Sequence, residues 1–281
     1  MYQTILLCTD GSPSADVAAD TAIWLAQKLN AHIQALYVTD IRLLEGPWLA
    51  DLGGALGAQP YTALVPQLEE IQKQKADTIL DAVRKKCDAL SVPCNLAHET
   101  GALASLMLHY ETRANLVVLG QRGEHAQWTG EMLGSSVERL VRASIKPTLV
   151  TPAAFRPIQR ILIATDGSPG ADKALHAGLE LASLLRAEIT LLTACLRDTE
   201  ESAGRALRDA QEEAETRGFK PRVQLAHGEP EIEILHWAAE THADLIVMGA
   251  YGHSRLREFV LGSITHQVIR QAEVPVLLAR G

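Results

Sequence analysis

The sequence predicts an α/β fold: two domains in tandem, each a doubly wound parallel sheet of five strands covered by helices on both faces. Three observations predict it. A strand-turn-helix opening occurs twice, short wholly apolar runs alternate with amphipathic stretches, and 281 residues suit two cores of about 140 residues each. Ile5-Leu6-Leu7-Cys8-Thr9-Asp10-Gly11-Ser12-Pro13 returns as Ile161-Leu162-Ile163-Ala164-Thr165-Asp166-Gly167-Ser168-Pro169. Further on, Ala114 to Gly120 answers Ala243 to Gly249, Leu133-Gly134-Ser135 answers Leu261-Gly262-Ser263, and Lys146 to Val150 answers Val274 to Leu278. Landmarks repeated in the same order mark a duplicated domain. Pro152 and Pro157 bracket a short break near Ala153, so the domains are expected at 1–152 and 157–281.

In the first half, Ile5 to Thr9 is an apolar run of strand length, and Ala15 to Leu29 carries Val17, Ala18, Ala22, Leu25, Ala26 and Leu29 at helical spacing. His32 to Thr39 reads as the second strand, Leu68 to Leu90 as a long charged helix, and Cys94 to His98 as the third strand. A helix over Ala102 to Tyr110, a strand over Leu116 to Leu119, a helix from Ser135 to Ala143 and a closing strand complete the unit. The second half repeats the order: helix Ala171 to Leu185, strand Glu188 to Ala194, helix Glu200 to Arg217, strand Arg222 to Leu225 and helix Ile232 to Thr241. Strand Leu245 to Met248, helix Ser263 to Gln271 and strand Val274 to Ala279 follow. Apolar strands alternating with helices imply a parallel sheet buried on both faces, and right-handed crossovers place ligands beyond the carboxyl ends of its strands.

The halves differ in one long stretch, 41–66, whose Gly46-Pro47, Gly53-Gly54, Gly57 and Pro60 are loop composition. It reads as a surface excursion or, lying after the second strand, as a lid over the cleft. Composition narrows the function classes. Charged residues at 21% and apolar ones at 47% suit a soluble globular chain, and the longest apolar runs are a strand long, too short to span a bilayer. The first residues lack a basic segment followed by an apolar stretch, so a cytoplasmic location is expected. A net charge of −8 disfavours a nucleic-acid partner. Cys8, Cys87, Cys94 and Cys195 have no metal-ligand spacing and read as free thiols.

The strongest chemical signal follows the strand Leu245 to Met248. Gly249-Ala250-Tyr251-Gly252 leaves it, and nine residues later Gly262-Ser263 opens a helix. Glycines admit close backbone approach, and a helix N-terminus offers free N–H groups with a positive dipole end, so the pattern suits a phosphate. No Gly-x4-Gly-Lys-Ser/Thr loop occurs, and no general base is paired with a nucleophile. Asp166, at the tip of a strand, is either a ligand contact or a turn-maker bonding its own backbone two residues on. His253 and Arg255 either reach phosphate oxygens or are solvated, and His227 and His236 read as structural.

An early strand ending in Thr-Asp-Gly-Ser combined with a late Gly-x2-Gly-x9-Gly-Ser resembles the universal stress protein family, over nearly the whole chain and twice. The resemblance implies the adenine nucleotide alpha hydrolase-like sheet, strand order 3-2-1-4-5, with ATP held between strands 1 and 4. It implies that Thr165 and Asp166 lie by the ribose or metal end, Ala194 faces adenine, and Met248 lines the floor. Gly249, Gly252, Gly262 and Ser263, with His253, Ile264 and Thr265, would hold the phosphates, and a magnesium or manganese ion would balance their charge. Thr9, Asp10, Val38, Gly120, Gly123, Gly134 and Ser135 are the counterparts in the first half. There the spacing is ten residues rather than nine, and Glu124 and Glu131 place negative charge in a loop that would have to face phosphates, partly offset by Arg122 and His125, so this is expected to be the weaker site.

The resemblance further implies pairing of the domains through strand 5, Thr148-Leu149-Val150 against Val276-Leu277-Leu278, and leaves open a homodimer of chains. The expected function is adenine-nucleotide binding in a stress response, with at most slow ATP hydrolysis. The alternatives are a scaffold for a protein or apolar ligand that binds no ATP, and an adenylate-handling enzyme of the same fold class.

Overall fold

A computed structural model describes residues 2–40, 61–123, 135–196, 199–250 and 262–280. The first half runs β1 (Thr4–Cys8), α1 (Pro13–Leu29), β2 (His32–Asp40), α2 (Tyr61–Ala89), β3 (Cys94–Gly101), α3 (Leu103–Glu111), β4 (Leu116–Gly120), α4 (Ser135–Ala143) and β5 (Thr148–Thr151). The second runs β6 (Arg160–Ala164), α5 (Pro169–Leu185), β7 (Glu188–Cys195), α6 (Glu200–Thr216), β8 (Arg222–His227), α7 (Pro230–Glu240), β9 (Leu245–Gly249), α8 (Ser263–Gln271) and β10 (Val276–Ala279).

The strands form one sheet in the order β3-β2-β1-β4-β5-β10-β9-β6-β7-β8. Each half thus has the order 3-2-1-4-5 with parallel neighbours, and the two five-stranded half-sheets join edge to edge. β5 and β10 pair antiparallel, Val150 opposite Val276, Leu149 opposite Leu277 and Thr148 opposite Leu278, so the half-sheets merge. The physical reason is that an apolar edge strand with unpaired N–H and C=O groups gains most by joining another.

Side chains alternate across the sheet. Ile5 and Leu7 of β1 face one core, with α1, α2, α5 and α6, whereas Leu6 and Cys8 face the other, with α3, α4, α7 and α8. Each core takes residues from both halves: Leu149 and Leu277 belong to the first, Val150 and Leu278 to the second. On the α1 side, Lys86 of α2 bonds Asp16 at 2.5 Å and Asp20 at 2.8 Å, fixing α2 to α1.

Two expectations need correction. The stretch 41–66 is not all loop, because α2 begins at Tyr61 and contains Pro66; proline removes one N–H bond near the helix start, which a helix of 29 residues tolerates. The remainder of that stretch, and with it the lid reading, lies outside the described residues. β3 continues past His98 to Gly101, since its main chain stays paired with β2 through Asp40 opposite Gly101 although the apolar run has ended.

At the amino ends of the central strands each half is pinned by one side chain. Asn115 Oδ1 accepts from the N–H groups of Gln3 at 2.9 Å and Thr4 at 3.0 Å, and Asp244 Oδ2 accepts from those of Gln159 at 3.1 Å and Arg160 at 3.0 Å. β1 and β4, like β6 and β9, are held together at that end.

Because both cores run through the β5–β10 seam, the halves are expected to unfold together. Chemical denaturation followed by circular dichroism and by tryptophan fluorescence should give one coincident transition. Leu277→Ala, which empties a position 1% exposed in the shared core, should lower stability by roughly 2–4 kcal/mol. Two separated transitions, with only the second moved by this substitution, would contradict a continuous core.

Candidate functional site

At their carboxyl ends the pinned strands part. The β1–β4 ladder stops at Leu7 opposite Val118, while β1 stays with β2 through Cys8 opposite Leu36, and the Thr9 N–H donates to the Leu36 carbonyl at 3.0 Å. In the second half the β6–β9 ladder stops at Ile163 opposite Val247, and the Thr165 N–H donates to the Leu192 carbonyl at 2.9 Å. A crevice therefore opens in each half where the strand order reverses, which is the usual ligand position of an open α/β sheet.

The turn beside each crevice is built identically. Thr9 and Thr165 accept from the N–H of Gly11 and Gly167 through Oγ1, both at 3.3 Å, and Asp10 and Asp166 accept from that of Ser12 and Ser168 through Oδ1, both at 2.9 Å. Gly11 at φ 77° and Gly167 at φ 72° supply the left-handed step that these contacts require. Of the two readings of the aspartate, turn-making is realised in both halves; Asp166 is exposed and Asp10 half-buried. Ser12 and Ser168 then cap α1 and α5, accepting from Ala15 and Ala171 at 3.2 Å, with proline at the first helical position. That capping role escaped the sequence analysis, although Asp-Gly-Ser-Pro is its signature.

Across the crevice, the strand-end glycines let β4 and β9 pass against these helix starts. A Cβ on Gly120 would lie 2.6 Å from the Ser14 carbonyl carbon, and one on Gly249 would lie 3.0 Å from Ala171 N. The start of α8 is fastened to the end of β9: Thr265 Oγ1 lies 3.3 Å from the Gly249 carbonyl and 3.2 Å from that of Ala250, to which it donates. Unlike α1 and α5, α8 has no side-chain cap, its N-cap being Gly262. Its first N–H groups lack intrahelical partners, as at any helix start.

The second half thus gathers Thr165 and Asp166 at the tip of β6, half-buried Ala194 near the end of β7, Met248 and Gly249 at the end of β9, and Gly262, Ser263, Ile264 and Thr265 at the start of α8. Met248 is buried in the core against which Ile264 packs. Gly252, His253 and Arg255 lie outside the described residues. In the first half, Thr9, Asp10, Val38, Gly120 and Gly123 stand in the corresponding places and Ser135 opens α4, while Gly134, Glu124, His125 and Glu131 lie outside the described residues.

Residues 122 and 123, just after β4, lie against the turn at the tip of β1. Ser12 Oγ donates to the Arg122 carbonyl at 3.1 Å, and a Cβ on Gly123 would stand 3.1 Å from Asp10 Oδ2. Gln121 is buried and reaches into the other half, its side-chain amide donating to the Ile269 carbonyl and, at 3.0 Å, to that of Arg270 at the end of α8. No sequence signal announces that contact. Cys8, behind the first crevice, is no nucleophile: burial, with the Glu111 carboxylate behind it, pushes its thiol up to about 12. His227 is exposed with Glu200 3.4 Å away, and His236 stacks edge-on against Trp237.

Fold and crevices together define a tandem, doubly wound α/β protein with one switch-point cleft per half. Comparison with known proteins narrows this class. The model of the universal stress protein family matches residues 1–152 and again 157–280. Universal stress protein Slr1230 of Synechocystis is 35% identical over 288 residues, covering 99% of this chain and 100% of that protein. Universal stress protein YxiE of Bacillus subtilis is 32% identical over 145 residues, 43% of this chain and 98% of that one. Among solved structures, a universal stress protein from Archaeoglobus fulgidus shares the fold with a TM-score of 0.76 at 22% identity, covering 99% of this chain and 96% of that one. The chain belongs to the universal stress protein family.

The glycine contacts carry a prediction. Gly120→Ala drives a methyl into fixed main chain and should destabilise by about 1–3 kcal/mol, and Gly249→Ala, with a looser contact, by less. Urea denaturation of the two variants checks the order; equal, negligible losses would mean that the strand ends do not approach the helices so closely.

Proposed function

We propose that the chain binds ATP, or another adenine nucleotide, chiefly in its second half, and serves a stress response from the cytoplasm. The observation that carries this reading is the α8 N-terminus, without a side-chain cap and fastened by Thr265 to the end of β9, at the mouth of the crevice between β6 and β9. Its free N–H groups and positive dipole end suit the phosphates. Ser263 adds an exposed hydroxyl, and Gly252 and His253 complete the phosphate loop. On the same reading Ala194 borders the adenine, Met248 floors the site, and Thr165 and Asp166 flank the ribose.

Among the described residues no group of three or more His, Cys, Asp or Glu could hold a metal by itself. A magnesium or manganese ion would be carried on the phosphate oxygens, as such ions commonly are. The first-half site, formed by Thr9, Asp10, Val38, Gly120, Gly123, Gly134 and Ser135, is the weaker one: residues 122 and 123 already lie against Ser12 and Asp10, which favours a scaffolding role there. A homodimer would form away from β5 and β10, whose edges meet within the chain. Among the described residues no helix is long and apolar enough to cross a membrane.

Equilibrium dialysis of the full chain with radiolabelled ATP, with and without magnesium, tests the reading. Saturable uptake near one equivalent is expected, and Gly262→Asp, which sets a carboxylate before the helix start, should weaken it at least tenfold, about 1.4 kcal/mol or more. Absence of saturable uptake, or uptake indifferent to Gly262→Asp in a folded variant, leaves the scaffold reading in its place.

A further inference from the structure

Far from either crevice, at the amino end of β3, two cysteines meet. α2 ends in a tight reversal: the Val92 N–H donates back to the Cys87 carbonyl at 2.9 Å and the Ser91 N–H to that of Asp88 at 3.1 Å, with Ser91 at φ 54°. This doubled bond pattern stops the helix and turns the chain sharply. The Ile33 N–H then donates to the Pro93 carbonyl at 2.8 Å, and Cys94 takes its place opposite Ile33 as the first residue of β3. Both ends of the short connection are thus fixed by main-chain bonds, and the Cys87 and Cys94 side chains are brought together with a hydrogen bond between them.

The two thiols differ in access. Cys87 is wholly buried in the core against which Cys94 packs, whereas Cys94 is half-buried at the sheet edge. Cys94 lines a surface groove of about 430 Å³ together with Asn30, Ala31, His32, Pro93 and Asn95. The hydrogen bond from Cys87 holds the Cys94 thiol below its ordinary range; the Arg84 guanidinium helps, while burial and Asp88 oppose. The same hydrogen bond, then burial, pushes Cys87 up. One sulfur lines a surface groove, its Sγ donating to the Asn95 carbonyl at 3.8 Å, and its neighbour is buried in the core. That is the division of labour between an attacking and a resolving cysteine. Cys8 and Cys195 are both buried.

We propose that Cys87 and Cys94 are a redox-active pair that a hydroperoxide converts reversibly into an intrachain disulfide. The Cys94 thiolate attacks a peroxide oxygen; an S–O bond forms, the O–O bond breaks, and the departing oxygen takes up a proton to leave as water or alcohol. Cys94 is then a sulfenic acid. The Cys87 sulfur gives up its proton and attacks the Cys94 sulfur; the S–S bond forms, the S–O bond breaks, and hydroxide leaves as water with that proton. Two thiols lose two electrons, and one peroxide gains them. Reduction by an external dithiol restores the pair. The bond closes the reversal between α2 and β3, tying the edge strand to the helix that Lys86 fastens to α1.

The test uses the intact native chain. A few equivalents of hydrogen peroxide are added and quenched, the protein is denatured and alkylated with iodoacetamide, and tryptic peptides are weighed. Cleavage after Lys86 and Arg113 leaves both cysteines on one peptide. It should lose both alkyl groups and weigh about 2 Da less than the dithiol form, returning to the doubly alkylated mass after dithiothreitol. The peptides of Cys8 and Cys195 should remain alkylated. In Cys87→Ser the sulfenic acid on Cys94 has no resolving partner, so labelling by dimedone should rise at least tenfold over wild type. In Cys94→Ser, Cys87 should stay alkylatable. The proposal is overturned if wild type keeps both alkyl groups after peroxide, or if Cys94 alone advances to sulfinic acid while Cys87 still alkylates. The wild-type measurement decides even where a variant folds poorly.

Discussion

Main-chain hydrogen bonds between β5 and β10 turn two half-sheets into one, and the rest of the architecture follows from them. Each half ends in an apolar strand whose outer edge would otherwise face water with its donors and acceptors unpaired. Pairing the two edges antiparallel relates the halves by an approximate two-fold and leaves β3 and β8 as the sheet borders. It also carries Leu149 and Leu277 into one helical layer and Val150 and Leu278 into the other. Stability and assembly are therefore properties of the whole chain.

Within each half a second constraint shapes the cleft. Asn115 and Asp244 hold the central strands together at their amino ends, and the ladders give out before the carboxyl ends. Glycine at the last position of β4 and of β9 lets the strand end lie against the neighbouring helix start while it stays paired with β5 or β10. The opening is thus a product of backbone geometry and needs no large side chain to prop it. In the second half the fastening of α8 to β9 through Thr265 brings a helix start lacking a side-chain cap to that opening.

Much of this was legible in the residues. Wholly apolar runs such as Ile161 to Ala164 could only be strands covered on both faces, and the repeated Asp-Gly-Ser-Pro marked the strand tips. Glycine spacing located α8 and the end of β9. What resisted reading had identifiable causes. β3 outlasts its apolar run because strand pairing is a main-chain matter, and Glu99 and Thr100 pair with β2 while their side chains are polar. The start of α2 was hidden by Pro60 and Pro66, which read as punctuation. Asp166 carried two meanings in the sequence, and in the fold its carboxylate accepts from the Ser168 amide. The meeting of Cys87 with Cys94 depends on the handedness of one residue, Ser91, which no composition announces.

Gln121 is the feature with the widest reach. It leaves the end of β4 in one half and hands its amide protons to the last carbonyls of α8 in the other, 148 residues away from Ile269 along the chain. The helix whose leading end borders the second crevice is therefore braced at its trailing end by the loop that borders the first. Sliding or tilting α8 has to stretch that brace, and pulling on the loop has to tug the helix. Strain arising at either end of that brace is thus passed from one half to the other through a side chain as well as through the β5–β10 seam.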